Sequence, residues 1–106
     1  MTEQELFALL QTLSIPVAYR AFEEKEKVSP PFAAFYRMNN EQTYADDIVY
    51  DTQKNMALEL YTPKARNLTI EQEIETLLTE NEIPFEASES YLSEEKMVEI
   101  LYEFTI

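Results

Sequence analysis

Val98-Glu99-Ile100-Leu101-Tyr102-Glu103-Phe104-Thr105-Ile106 alternates with a period of two. Val98, Ile100, Tyr102, Phe104 and Ile106 fall on one side, while Glu99, Glu103 and Thr105, with Met97 and Leu101, fall on the other. That is the pattern of a strand with one buried face. Working outward, Ile48 to Thr62 repeats it: Ile48, Tyr50, Thr52, Met56, Leu58 and Leu60 lie on one face, and Val49, Asp51, Gln53, Ala57, Glu59 and Tyr61 on the opposite one. The spacing predicts one long strand, or two with a break near Lys54, ended by Pro63. Strands with a single apolar face need a second layer to cover them.

Two helical stretches supply that layer. Thr2 and Glu5 stand at capping-box spacing, and Leu6, Leu9, Leu10 and Leu13 recur at helical spacing beside Phe7, which predicts a helix from Glu3 to Leu13. Pro16 stops it by biasing Ile15 away from helical angles. Thr69 and Gln72 repeat the capping-box spacing before Ile70, Ile74, Leu77 and Leu78, which predicts a second helix over 70–81, ahead of Pro84.

The remaining segments read as strands and turns. Val17 to Phe22 alternates as a half-buried strand; Glu23-Glu24-Lys25-Glu26-Lys27 and Ser29-Pro30-Pro31 form a charged turn; Phe32 to Met38 is a short aromatic strand covered on both faces. Asn39-Asn40 closes that strand, and the polar stretch from Asn39 to Asp47, which holds Tyr44 alone, reads as a loop. Phe85 to Leu92 is a polar, edge-like strand, followed by a turn at Ser93-Glu94-Glu95-Lys96. The predicted fold is one α+β domain over residues 1–106: a two-layer sandwich of a mostly antiparallel sheet with two helices on one face, in the order α-β-β-β-α-β-β. A weak internal echo has shared architecture as its simplest explanation, with duplication as the alternative. Leu9-Leu10 and Ile15-Pro16 match Leu77-Leu78 and Ile83-Pro84 at a constant offset of 68 residues, because a helix that must stop and reverse into a strand uses the same punctuation twice.

Composition narrows the chemistry. The 106 residues include 8 Lys and Arg against 21 Asp and Glu, a net charge of −13 that repels phosphate backbones and anionic lipid, so neither direct nucleic-acid binding nor membrane binding is expected. With 45% hydrophobic residues, seven Tyr and six Phe, a chain of this size buries roughly two-thirds of its unfolded surface and needs no disulfide or metal to fold. There is no Cys, no apolar run approaches the ~20 residues that cross a bilayer, and Met1-Thr2-Glu3-Gln4-Glu5 is acidic where a signal peptide is basic. A soluble protein that is not exported is the expectation.

The absence of His removes the usual general base and the commonest metal ligand. The absence of Gly removes phosphate-cradling loops, dinucleotide fingerprints and nucleophile elbows. No catalytic residue and no cofactor is expected, and carboxylates remain. Asp46, Asp47 and Asp51 cluster where a divalent cation or an acid/base pair would use them, although a solvated acidic loop explains them with less. Glu23-Glu24-Lys25 and Glu94-Glu95-Lys96 are ordinary charged turns. Phe32, Phe35, Tyr36, Tyr102 and Phe104 could line a pocket, but at strand spacing they are core. Tyr44 and Tyr61 are the aromatics expected at the surface, where Tyr is a preferred interface anchor.

Several stretches together are similar to a known group: Leu9-Leu10 leading into Ile15-Pro16-Val17-Ala18-Tyr19, the acidic turn, Pro30-Pro31-Phe32, Leu58-Glu59-Leu60-Tyr61-Thr62 followed by Pro63-Lys64, and Lys96-Met97 with Leu101-Tyr102-Glu103-Phe104. They resemble small tail-component proteins from the morphogenesis clusters of phages and prophages of low-GC Gram-positive bacteria, and through them the tail terminator, or tail-to-head joining, family of long-tailed phages. The resemblance implies self-association into a ring of six subunits that caps the tail tube and meets the head-completion proteins. It implies a life in the bacterial host cytoplasm during assembly and then in the virion tail or head-tail junction, with no catalytic residues to carry over. Carboxylates lining the lumen would let DNA pass without adhering, with Asp46, Asp47 and Asp51 the first choice. Some terminators are longer, so a neighbouring connector or minor tail protein fits the resemblance too. The other class consistent with −13 is an acidic DNA mimic that binds a DNA-binding protein, using a row such as Glu71, Glu73, Glu75, Glu80 and Glu82.

Overall fold

The computed structural model describes residues 1–22, 28–45 and 48–106, and the predicted turn over 23–27 lies outside them. The elements run α1 (Glu3–Leu10), β1 (Val17–Tyr19), β2 (Phe32–Ala45), β3 (Ile48–Pro63), α2 (Leu68–Glu80), β4 (Phe85–Leu92) and β5 (Met97–Thr105). The sheet order is β1-β2-β3-β5-β4, antiparallel throughout except for β1, which pairs parallel to β2. The α+β sandwich and its element order stand as the periodicity predicts. No helix among the described residues is long and apolar enough to cross a membrane.

The core lies between the helices and one face of the sheet. Leu6 and Leu10 of α1 and Ile70, Ile74 and Leu78 of α2 close over Phe35, Met56, Leu58, Leu60, Ile100, Tyr102 and Phe104. The strand members of that set share one face by alternation, so both helices cover the same side. Ser14 joins the helices across the top of the layer, its N–H and hydroxyl donating to the two oxygens of Glu73 at 2.9 and 2.6 Å.

Several boundaries differ from the sequence reading, each for a local reason. The capping box forms, with Glu5 N–H donating to Thr2 Oγ1 at 3.0 Å and Thr2 N–H to Glu5 Oε1 at 3.1 Å. The helix nevertheless stops at Leu10 rather than Leu13, because Thr12 and Leu13 switch to the tighter i−3 pattern and Gln11 Nε2 turns away to Val17 O at 2.9 Å. β1 ends at Tyr19 rather than Phe22 because Arg20 sits at φ 70. α2 begins at Leu68 under an Asn67 cap, whose side chain accepts from Ile70 N–H at 3.2 Å. The Thr69–Gln72 box does not form, and Gln72 Nε2 donates instead to Thr76 Oγ1. At the other end Glu82, at φ 58, donates to Thr79 O while Ile83 N–H reaches back to Leu78 O at 2.9 Å. This is a Schellman ending with glutamate in the left-handed position that Gly usually takes.

The predicted loop over Asn39 to Asp47 is the largest correction. β2 continues through Ala45 and β3 is unbroken from Ile48, so the two form a hairpin paired from Phe32↔Tyr61 out to Ala45↔Ile48. β5 leaves β3 at Asn55↔Thr105 and β1 spans only Val17 to Tyr19, so the outer half of the hairpin projects as a two-stranded arm. The molecule measures 52 × 29 × 25 Å. Seven strand residues add about 24 Å, which matches the long dimension. Met38 is an extra residue on β2 at the base of the arm, a β-bulge between the pairs Arg37↔Met56 and Asn39↔Asn55. Asn55 clasps the base, its Nδ2 donating to Asn39 Oδ1 at 2.6 Å and Glu41 Oε1 at 3.1 Å while its Oδ1 accepts from Thr105.

Candidate functional site

The face of the sheet opposite the helices carries no helix among the described residues. Alternation places Phe32, Ala34 and Tyr36 of β2, Asn55, Ala57, Glu59 and Tyr61 of β3, Glu99, Leu101 and Glu103 of β5, and Glu86 and Ser88 of β4 on it. The aromatic set expected as core therefore divides. Phe35, Tyr102 and Phe104 are buried under the helices, whereas Phe32 and Tyr36 lie half-buried on this open face.

Glu59 organises its centre. Tyr36 OH donates to Glu59 Oε1 at 2.8 Å, and Tyr61 OH donates to Glu59 Oε2. Phe32 stacks against Tyr61 with ring centroids 5.3 Å apart, Phe22 meets Phe32 edge-on at 5.5 Å, and the Arg20 guanidinium stands 5.1 Å over the Tyr36 ring. Arg20, at φ 70, ends β1, and Phe22 two residues on lies beside this face. Glu99 sits directly opposite Tyr61 and diagonal to Glu59. Burial and the Glu59 charge raise the Glu99 carboxyl above its usual value, and the Tyr61 hydroxyl works the other way. Burial and the bond to Glu59 push the Tyr36 hydroxyl up to about 12 and move Tyr61 in the same direction, so both stay donors at neutral pH.

Toward the arm, Glu86 and Glu103 stand directly opposite each other in the β4–β5 ladder. Like charges so paired destabilise a sheet. They line a groove of about 640 Å³ together with Met38, Asn39, Asn55 and Thr105. These groups accept hydrogen bonds and attract cations, and no three carboxylates among the described residues converge as metal ligands.

Of the residues singled out by sequence, Tyr61 lies on this face, half-buried and bonded rather than free. Tyr44 belongs to β2 in the arm, in register with Val49, and not to a loop. Asp51 is exposed on the arm opposite Thr43. Asp46 and Asp47 lie outside the described residues, so the acidic trio is not assembled as a site. Ile48 and Val49, 65% and 46% exposed at the outer end of the arm, carry no surface signal in the sequence, where Ile48 falls on the apolar face of the strand and Val49 on the opposite one. Glu99, Glu86 and Glu103 become a set only through strand pairing, which one strand's pattern does not reveal. Of the acids around α2, Glu71 is 4% exposed and bidentate with Arg66 at 2.7 and 3.1 Å, and Glu73 is taken by Ser14, so the row is interrupted. No known family model matches the chain, and no curated protein sequence is significantly similar to it.

Proposed function

We propose that the protein is a structural subunit of a long-tailed phage tail or head-tail junction, a tail terminator or tail-completion component that assembles into a ring by protein contact. The observation that carries this reading is the arm. It extends beyond every other strand, exposes Ile48 and Val49 at its outer end, and has hydrogen-bonding edges that no described strand occupies. An isolated two-stranded ribbon is marginal in water, and an exposed apolar tip with free edges is a means of engaging a neighbour. A projecting arm meeting a different surface of the next subunit gives a head-to-tail contact, the kind that forms a ring when the rotation between neighbours closes. The resemblance of the Leu9-Leu10, Ile15-Pro16 and Leu58 to Thr62 segments to phage tail components supplies the setting: host cytoplasm during assembly, then the virion, with tail tube and head-completion proteins as partners. The DNA-mimic reading is weaker, because Glu71 and Glu73 are engaged internally.

Light scattering across a concentration series, with and without isolated tail tubes, tests the proposal. A closed oligomer, free or on the tubes, is expected for the wild type, and its loss for Ile48→Asp with Val49→Asp. A wild-type chain that stays monomeric in both conditions overturns the proposal. Genes for tail proteins beside this reading frame are the matching genetic expectation.

A further inference from the structure

We propose that the helix-free face of the sheet, from the Glu86–Glu103 groove to the Glu59–Glu99 pair, is a docking surface for an extended basic segment of a partner protein. This goes beyond ring formation and does not depend on it. Four carboxylates occupy three neighbouring strands of this face, and among the described residues Arg20, over Tyr36, is the cation placed on it. Two juxtapositions oppose folding: Glu86 directly across from Glu103, and Glu99 diagonal to Glu59. The inner pair is half-buried among Phe32, Tyr36 and Tyr61, which intensifies its repulsion, while Glu86 and Glu103 stand exposed in a groove whose lining includes Met38 and Phe85. A cation inserted at either place relieves that repulsion and gains charge-assisted hydrogen bonds. Arg20 against the Tyr36 ring shows how a guanidinium seats on this surface.

Charge selects the occupant. A second copy brings another strongly acidic body to an acidic face, and nucleic acid or anionic lipid is repelled likewise. Geometry adds a spacing rule. Glu99 and Glu103 are four residues apart on one face of β5, about 13 Å, which is the separation of side chains i and i+4 on an extended strand. A partner segment with arginine or lysine four residues apart on one side fits both places at once.

The test uses the full chain, ¹⁵N-labelled, titrated with the capped heptapeptide Ala-Arg-Ala-Ser-Ala-Arg-Ala at physiological ionic strength. Saturable shifts at the amides of Tyr36, Tyr61, Glu86, Glu99 and Glu103 are expected, with binding weakened about tenfold in E86Q/E103Q, the loss of one charge-assisted contact. The control E94Q/E95Q removes the same charge in the β4–β5 turn and should bind as the wild type does. Equal weakening in the two variants, shifts spread over α2 as well, the same affinity for a peptide with glutamine at both arginine positions, or no saturable binding overturns the proposal. Melting of E86Q/E103Q at or above the wild-type temperature verifies that any loss of binding is not a loss of fold.

Discussion

Glu82, Arg20, Lys64 and Lys96 all hold positive φ, a conformation that disfavours a side chain and that this Gly-free chain assigns to charged residues. At Glu82 the strain sits in a helix ending that is otherwise well made, with Ile83 and Leu78 both buried behind it. Glu82→Gly should therefore stabilise the protein by about 1 kcal/mol, read from the denaturant midpoint. Glu99 gives a pH signature. Its carboxyl is raised above the ordinary 4.5 in the folded protein, so the folded state holds the proton more tightly than the unfolded chain does. The resulting stability is full below 4.5 and is lost as pH climbs from there through the raised value. Glu99→Gln should melt above the wild type at neutral pH, with the advantage fading in acid; a constant advantage at all pH values would contradict this assignment. None of these features is legible in the sequence. Nothing marks a glutamate for left-handed geometry, and the neighbour that perturbs Glu99 is brought by β3.

Elements with a buried face were legible, and those without one were not. β5 and β3 carry their pattern because one side meets the helices, and α1 and α2 carry theirs for the same reason. The outer part of β2, Asn39 to Thr43, buries nothing, so no period of two marks it and it reads as loop. Its strand character comes from pairing with Asp51 to Asn55. Shortening the arm, with Gln42 to Thr52 replaced by an Asn-Gly turn between the paired Glu41 and Gln53, should therefore leave the melting temperature nearly unchanged while abolishing assembly. The start of α2 differs from its sequence signal because Thr69–Gln72 and Asn67 are both good caps, and the chain uses the earlier one. Asn67→Ala should cost about 1 kcal/mol, whereas Thr69→Ala should be neutral or stabilise by a few tenths of a kcal/mol, measured by chemical denaturation.

For the molecule as a whole, a charge of −13 on 106 residues sets the background against which every contact acts. Described ion pairs are few: Arg66 with Glu71 and Glu89, and Arg37 with Glu3 at 3.7 Å. Self-repulsion outweighs them, so raising the salt from low to physiological concentration should raise the melting temperature and promote self-association, because the Debye length shortens to about 8 Å. The candidate surface was partly legible at this scale. Tyr61 stands out in the sequence, but the acids that share its face come from β3, β4 and β5 and meet only in the folded sheet.

The bulge at Met38 has a bearing on how such an arm evolves. With one extra residue where the ribbon leaves the body, Asn39 and Glu41 share a side with Asn55, while Gln42 shares the other with Thr52. Loss of the single codon for Met38 would leave Asn39 opposite Asn55 and every outer pair on its present side, and would remove only the bend and added twist where the arm leaves the body, without touching the core. The direction in which the arm presents itself can thus be inherited separately from the domain that carries it, and partner choice can drift while the fold stays fixed.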